Sequence, residues 1–362
     1  MEMEVIVVDN HSTDGSREYL EPLFPQVRFF WQKENTGFSK ACNYGLQQAR
    51  GTYILFLNPD TILPEDGLEK TLSFMQSHKD AGALGVRMID GSGRFLKESK
   101  RGLPSTLASF FKFSGLIRLF PRSAFFAQYY SGHLPEDAVN CVEVLSGAFF
   151  FTSRQVLQQT GSFDEQFFMY GEDIDLSYRI TRAGYRNYYY PDTTIIHFKG
   201  ESTWKADVKY LTRFYEAMKI FVNKHYPLGK SLILNGFIQT VLLLKKCQLF
   251  VKKAISKKQV PASEKHLQFL VLGDESGYKQ VKQILSRSGA QVSFGGTKTG
   301  IVPDGAAIVW CEGKDFSFKA IIEQVDKAEN GNAVWIYAGG SNSIVTSSSD
   351  KTNGTVMGVI SD

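Results

Sequence analysis

Between Ala217 and Ser263 the chain carries no aspartate or glutamate, while nine lysines fall in the same window. A segment so one-sided in charge is drawn to anionic partners. Long apolar runs are missing as well: no stretch reaches the roughly 18 to 20 uncharged apolar residues that a bilayer-spanning helix needs. The opening "MEMEVIVVDN" has acids where a secretory signal would be basic, and its apolar run is too short for export. The four cysteines, Cys42, Cys141, Cys247 and Cys311, stand far apart without metal-ligand spacing. They exclude a disulfide framework and fit a reducing cytosol. Low-complexity tracts and internal repeats are also lacking, and an apolar share of 43% suffices for a folded chain. A length of 362 residues predicts two domains, each burying its own core.

The first half alternates strand and helix. "EVIVVDN" is a β-branched run ending in polar residues, as in a buried parallel strand that delivers Asp9 and Asn10 to its carboxyl end. "SREYLEPLF" reads as helix, "VRFFWQKEN" as strand, "FSKACNYGLQQA" as amphipathic helix and "TYILFLNPD" as a third strand. This alternation predicts right-handed crossovers and a doubly wound sheet. Ligands bind such sheets beyond the carboxyl ends of the strands, which here carry Asp9, Asn35 with Gly37, and Asn58 with Asp60. A helix at Leu68 to His78, a strand "GALGVRMID", a kinked strand "VEVLSGAFFFTS" and further strands ending at His197 follow.

From Leu211 to about Lys258 the pattern is helical and basic. Lys245 and Lys246 recur seven residues later as Lys252 and Lys253, leaving Leu234, Ile238, Val241, Leu244, Val251 and Ile255 for another face. Two readings stay open: a helix from Leu232 to Lys258 lying in the plane of a membrane surface, or one packed on the domain with a solvated lysine face. Nucleic acid is not expected, since no aromatics interleave the lysines at a recognisable binding fold. The linker "KKQVPASEKH" then leads to short strands in "LQFLVLGDESG", "AQVSFGG", "AAIVWCEG" and "AVWIYAGG", a small α/β unit whose "GDESG" turn is too weak a signal for a phosphate loop.

Three clusters carry chemistry. "GEDIDLSYRI" crowds Glu172, Asp173 and Asp175 into the first turn of a helix. The helix dipole alone favours acids there, and Asp175 and Arg179, four apart, can pair on its surface. Asp60, held at a strand end in "NPD", suits a hard divalent cation that neutralises a diphosphate, although Asn-Pro-Asp is also ordinary turn chemistry. His197 completes a metal site begun by Asp60 or is a satisfied strand-end histidine. In "DNHSTDGS", Asp9 is placed to accept hydrogen bonds from a base ring, while Ser12 or Asp14 is placed to cap a helix.

In this order, "VIVVDNHSTDGS", "NTGFSKACNYGL", "GTYILFLNPDT", "VLSGAFF", "GSFDEQFFMYGEDIDLSYRITRAGY" and "HFKGES" resemble family 2 glycosyltransferases, in particular rhamnosyltransferase-like bacterial members. The resemblance covers roughly Glu4 to Trp204. It implies an α/β GT-A domain, Rossmann-like and built for nucleoside-diphospho-sugars, over residues 1–210, with a basic helical segment at 211–262 and a small α/β domain at 263–362. By the same resemblance Asp9, Asn10, Asn35, Gly37 and Asn58 face the nucleotide. Asp60 stands in place of the family's Asp-X-Asp, and His197 is a second ligand to Mg2+ or Mn2+. Ser146, Gly147 and Ala148 line the acceptor side, Asp173 is the catalytic base, and Glu172 orients it. The implied reaction is inverting transfer of a sugar such as rhamnose from a nucleotide-sugar donor. Its acceptor is a cell-surface glycan or lipid-linked precursor, met on the cytoplasmic face of the membrane. Family members begin with an additional strand and helix ahead of "EVIVVDN", whereas this chain opens almost at the second strand. The alternative is a non-catalytic nucleotide-sugar or glycan-binding protein, against which stand the intact Asp60, His197, Glu172 and Asp173.

Overall fold

The computed structural model describes residues 2–103, 116–198, 208–255, 268–286, 289–297, 306–328, 334–347 and 355–358. The strands are β1 Ile6–Asp9, β2 Arg28–Trp31, β3 Tyr53–Leu57, β4 Thr61–Ile62, β5 Ala81–Ile89, β6 Asn140–Val142, β7 Phe149–Ser153 and β8 Arg186–His197, followed by β9 Gln268–Leu272, β10 Gln291–Gly296, β11 Ala306–Cys311, β12 Val334–Tyr337, β13 Ser343–Ser347 and β14 Thr355–Gly358. The helices are α1 Ser16–Leu23, α2 Phe38–Gln48, α3 Gly67–Ser77, α4 Leu116–Leu119, α5 Arg154–Thr160, α6 Glu172–Arg182, α7 Val208–His225, α8 Leu228–Ile255, α9 Glu275–Ser286 and α10 Phe318–Ala328.

The main sheet runs β3-β7-β5-β8-β4, with β6 also on β8. It is mixed: β5 and β8 are parallel, whereas β7 is antiparallel to both β3 and β5. Period-two alternation sorts its side chains between two faces. Phe149 and Phe151 join Phe74 and Met75 of α3 on one side, while Phe150 meets Leu157 of α5 and Leu176 and Ile180 of α6 on the other. The alternation read in the sequence therefore yields α/β layers, with one correction: the first three strands do not lie in one sheet. β1 and β2 form their own parallel ladder, Ile6 opposite Arg28 and Asp9 opposite Trp31, and among the described residues neither pairs with the main sheet. Apolar periodicity marks a strand but does not name its neighbour.

The expected kinked strand is two, β6 and β7, broken at Glu143–Ala148. The basic helical stretch is also two helices, α7 and α8, separated at Tyr226–Pro227, where proline lacks the N–H that a continuing helix would use. The C-terminal strands form a second sheet, β10-β9-β11-β12-β13-β14, parallel through its first four members. One face carries α9; the other buries Ile321, Ile322 and Val325 of α10 together with Ile89, Ile196 and Phe198 of the main sheet. Polar contacts rim this shared core. Arg87 pairs with Asp326 at 2.9 Å, Lys319 with Asp66 at 2.7 Å, and the Glu65 carboxylate accepts the first amides of α10, from Phe318 and Lys319.

Candidate active site

The loops after β1 and β2 are tied to each other. Asn10 Nδ2 donates to Asn35 Oδ1 at 3.1 Å, and Asn10 Oδ1 accepts the Thr36 amide at 2.9 Å. Both asparagines thus shape the loops by binding one another. Asp9 accepts the Ser12 amide through Oδ2 at 2.8 Å, bending the chain after the strand. Gly37, at φ 90, lies so close to the segment before α6 that a Cβ there would stand 2.6 Å from the Phe168 carbonyl oxygen. The Phe38 amide donates to that same oxygen at 2.7 Å. Only glycine fits this meeting of two distant loops.

A continuous path of contacts links the remaining site residues. The Asn58 amide donates to the Ala148 carbonyl at 3.0 Å, and the Phe198 amide donates to the Asp60 carbonyl at 2.9 Å. Thr61 lies opposite His197 in the β4–β8 ladder. Asp60 Oδ1 and His197 Nε2 come within 3.1 Å. Yet Asp60 Oδ1 and His197 Nδ1 are buried with no hydrogen-bond partner among the described residues. An unpartnered carboxylate oxygen facing an imidazole fits a hard divalent cation, which takes one or two protein ligands and fills its shell with phosphate oxygens and water. No group of three or more His, Cys, Asp or Glu side chains that could hold a metal ion is found among the described residues.

At the other end of the path, Gly147 presses on the start of α6. Its amide donates to Asp173 Oδ2 at 3.1 Å, and a Cβ built there would meet Asp173 Cβ at 3.5 Å. Ser146 Oγ accepts the Ala148 amide at 3.3 Å, closing the turn. Asp173 Oδ1 accepts the Ile174 amide at 2.8 Å. Its Oδ2 also receives Arg101 Nη2 at 2.5 Å, from a guanidinium that donates to the Leu145 carbonyl as well. Arg101 carried no signal in the sequence, since it lies 72 residues before Asp173 and outside any motif. Glu172 is buried, and its Oε2 has no partner among the described residues. Burial, reinforced by the charge of Asp173, pushes its carboxyl up to about 8.

Asp175 has no access to solvent. It accepts Arg179 Nε at 2.8 Å and His225 Nε2 at 2.6 Å, and it lies 3.0 Å from Lys224 Nζ. It therefore braces α6 against α7 from a buried position, and its pairing with Arg179 is not on the helix surface.

The model of the family described as "Glycosyl transferase family 2" matches residues 1–134. That stretch of the chain resembles the family. The chain is an enzyme of hexosyl transfer, as are its named relatives. The N-acetylglucosaminyl-diphospho-decaprenol L-rhamnosyltransferase of Mycobacterium tuberculosis is 28% identical over 231 residues, which are 61% of this chain and 74% of that protein. The rhamnosyltransferase WbbL of Escherichia coli is 28% identical over 149 residues, covering 40% of this chain and 52% of the relative. Among solved structures, GalNAc-T7 with UDP, GalNAc and Mn2+ is 14% identical at a TM-score of 0.40, over 66% of this chain and 48% of the other. The chain thus spans about half the length of the last two. The family match ends before Ser146, Asp173 and His197 and assigns them no role.

Proposed function

We propose that this glycosyltransferase is inverting and metal-dependent, and that it moves a deoxysugar such as rhamnose from a nucleoside-diphosphate donor to a lipid-linked or cell-surface glycan. The observation that carries the reading is the path of contacts Asp173, Gly147–Ala148, Asn58–Asp60, His197, which joins a helix-mounted carboxylate to a cation-fitting pair. Asp173 takes the proton of the acceptor hydroxyl as its oxygen attacks the anomeric carbon and the bond to the diphosphate breaks. A single displacement inverts that carbon. Asp60 and His197 would hold Mg2+ or Mn2+, which would supply positive charge against the leaving diphosphate. Asp9, with the loops shaped by Asn10, Asn35, Gly37 and Asn58, faces the nucleotide, and Ser146 to Ala148 face the acceptor. The rhamnosyl and decaprenol-linked chemistry in the mycobacterial relative's name supports the choice of donor and acceptor.

The acceptor class also assigns a role to α8. No helix among the described residues is long and apolar enough to cross a membrane. The outward side of α8 nevertheless exposes Leu228, Leu232, Ile233 and Leu243 at 63% or more. These residues, backed by the lysines of the acid-free window, dock the enzyme on the cytoplasmic face of an anionic membrane. A screen of nucleotide sugars with Mg2+ or Mn2+, read as released nucleoside diphosphate, tests the reaction. Full activity in Asp173→Asn would remove Asp173 as the base. Co-sedimentation with anionic liposomes at low salt, weakening as salt rises, tests the docking.

The separate β1–β2 ladder favours one second reading, a protein that binds nucleotide sugars without turning them over. Calorimetry with UDP, GDP and dTDP in the presence of Mn2+ separates the two. Binding without release of nucleoside diphosphate selects the second.

A further inference from the structure

Helix α6 sets the position of the Asp173 backbone but leaves its carboxylate free to turn. Three groups stop that turn. The Ile174 amide engages Oδ1, and the Gly147 amide and Arg101 engage Oδ2. Arg101 differs from the two amides in being a charge brought from elsewhere in the chain. Its backbone is pinned in an antiparallel bridge to Val144, with Arg101 N to Val144 O at 3.1 Å and Val144 N to Arg101 O at 3.0 Å. Its guanidinium then spans the Leu145 carbonyl and the Asp173 carboxylate.

The side chains of Arg101 and Asp173 are each 13% exposed. Arg101 Nε is buried with no partner among the described residues. Taking a guanidinium out of water with a donor unmet is costly, and the cost is tolerated where a carboxylate of opposite charge returns it. Two carboxylic acids, Glu172 and Asp173, are enclosed at this spot, and Arg101 contacts only the second. Lys100, the adjacent cation, turns away to the carbonyls of Ser131 and Leu134.

We propose that Arg101 is the positioning residue of the base, tying the Asp173 carboxylate to the Leu145 carbonyl so that it is aimed at the acceptor from the Val144–Ala148 segment as well as from the helix. The inference rests on the reading of Asp173 as the proton acceptor. It adds that the aim of this carboxylate is set by a residue 72 positions away, which touches no reacting atom itself. Arginine suits the task because its planar fork bonds two acceptors at fixed angles, which a lysine ammonium does not.

The test compares Arg101→Gln, Arg101→Lys and Asp173→Asn in the full chain. The first readout needs no donor: water-soluble carbodiimide with glycine ethyl ester labels reachable carboxylates, which peptide mass spectrometry counts. Asp173 is expected to be labelled several-fold faster in Arg101→Gln than in the parent, with Asp9 and Asp60 unchanged. Equal labelling would show that the pair does not exist in solution and would overturn the proposal.

The second readout is release of nucleoside diphosphate from nucleoside-diphosphate rhamnose. Misaiming a catalytic group by about 1 Å costs on the order of a hundredfold, so Arg101→Gln should lose about that much kcat with the donor KM within about twofold. Arg101→Lys should recover part of the loss. A wild-type kcat in Arg101→Gln, or a donor KM that rises in step with the fall in kcat, overturns the inference. Loss of turnover in Asp173→Asn alone defeats Arg101 while leaving the base in place; undiminished turnover in Asp173→Asn defeats the base assignment itself. If the parent releases no diphosphate, the labelling result still decides the pairing, and the inference falls together with the base assignment.

Discussion

Replacing Asp175 by alanine strands two cations and a histidine at once. The carboxylate is wholly buried and holds Arg179 and His225 by hydrogen bonds of 2.8 and 2.6 Å, with Lys224 3.0 Å away. Removing one partner of a buried ion pair costs about 3–5 kcal/mol. Each cation here has some shelter. Arg179 keeps the carbonyls of Thr160, Gly161 and Ser162, and Lys224 keeps Asp164 at 2.5 Å. The loss should therefore fall at the low end, about 3 kcal/mol. Equilibrium urea unfolding measures the loss, and amide exchange across Glu172–Arg182 localises it. Exchange there should speed up while β9 to β12 stay protected. A loss below about 1 kcal/mol, with exchange unchanged, would refute the claim that charge fastens α6 to α7.

Glu172→Gln should change the pH dependence of stability. Because the folded carboxyl is pushed up to about 8 from 4.5, its contribution is full below about 4.5 and lost as pH rises toward 8. The glutamine variant should gain on the parent across that window, by a few kcal/mol in order of magnitude, as read by urea midpoints at several pH values. Gly37→Ala forces a Cβ to 2.6 Å from the Phe168 oxygen at a φ of 90, so it should cost about 3 kcal/mol and weaken nucleoside diphosphate binding in calorimetry. Glu65→Ala removes the cap of α10 and should cost about 1 kcal/mol, with faster exchange at Phe318 and Lys319.

What the sequence disclosed was local. β-branched and aromatic runs located β3, β5, β7 and β8, strand-end polar residues drew attention to Asp60 and His197, and the acid-crowded first turn of α6 to Asp173, before any contact was known. Pairing was not legible. β1 and β3 read alike, yet one lies in a two-stranded ladder and the other in the main sheet, because a strand's neighbour is chosen by packing. Asn10 and Asn35 looked free for a ligand, and their mutual bond joins positions 25 residues apart. Arg101 was invisible for the same reason. Asp175 showed its i,i+4 partner Arg179, but not Lys224 and His225, which reach it from α7. Strands β13 and β14 lie in serine- and glycine-containing stretches whose strand character comes from antiparallel pairing, β13 onto β12 and β14 onto β13.

The apolar seal behind the cation-fitting pair has a consequence for how the protein is made. Ile89, Ile196 and Phe198 are buried against Leu270, Leu272, Trp310, Ile321 and Ile336, all from the last third of the chain. On the ribosome, Asp60 and His197 emerge first, with the patch beside them still wet and adhesive. The strand end that carries His197 gains its backing only after β12 has been synthesised and Val334 has reached the Gly91 carbonyl. Synthesis thus contains a checkpoint: a transcript cut short before codon 334 yields a chain whose chemistry-bearing residues are all present but whose floor is missing. Such a chain displays a sticky surface, the mark by which chaperones and proteases sort unfinished products.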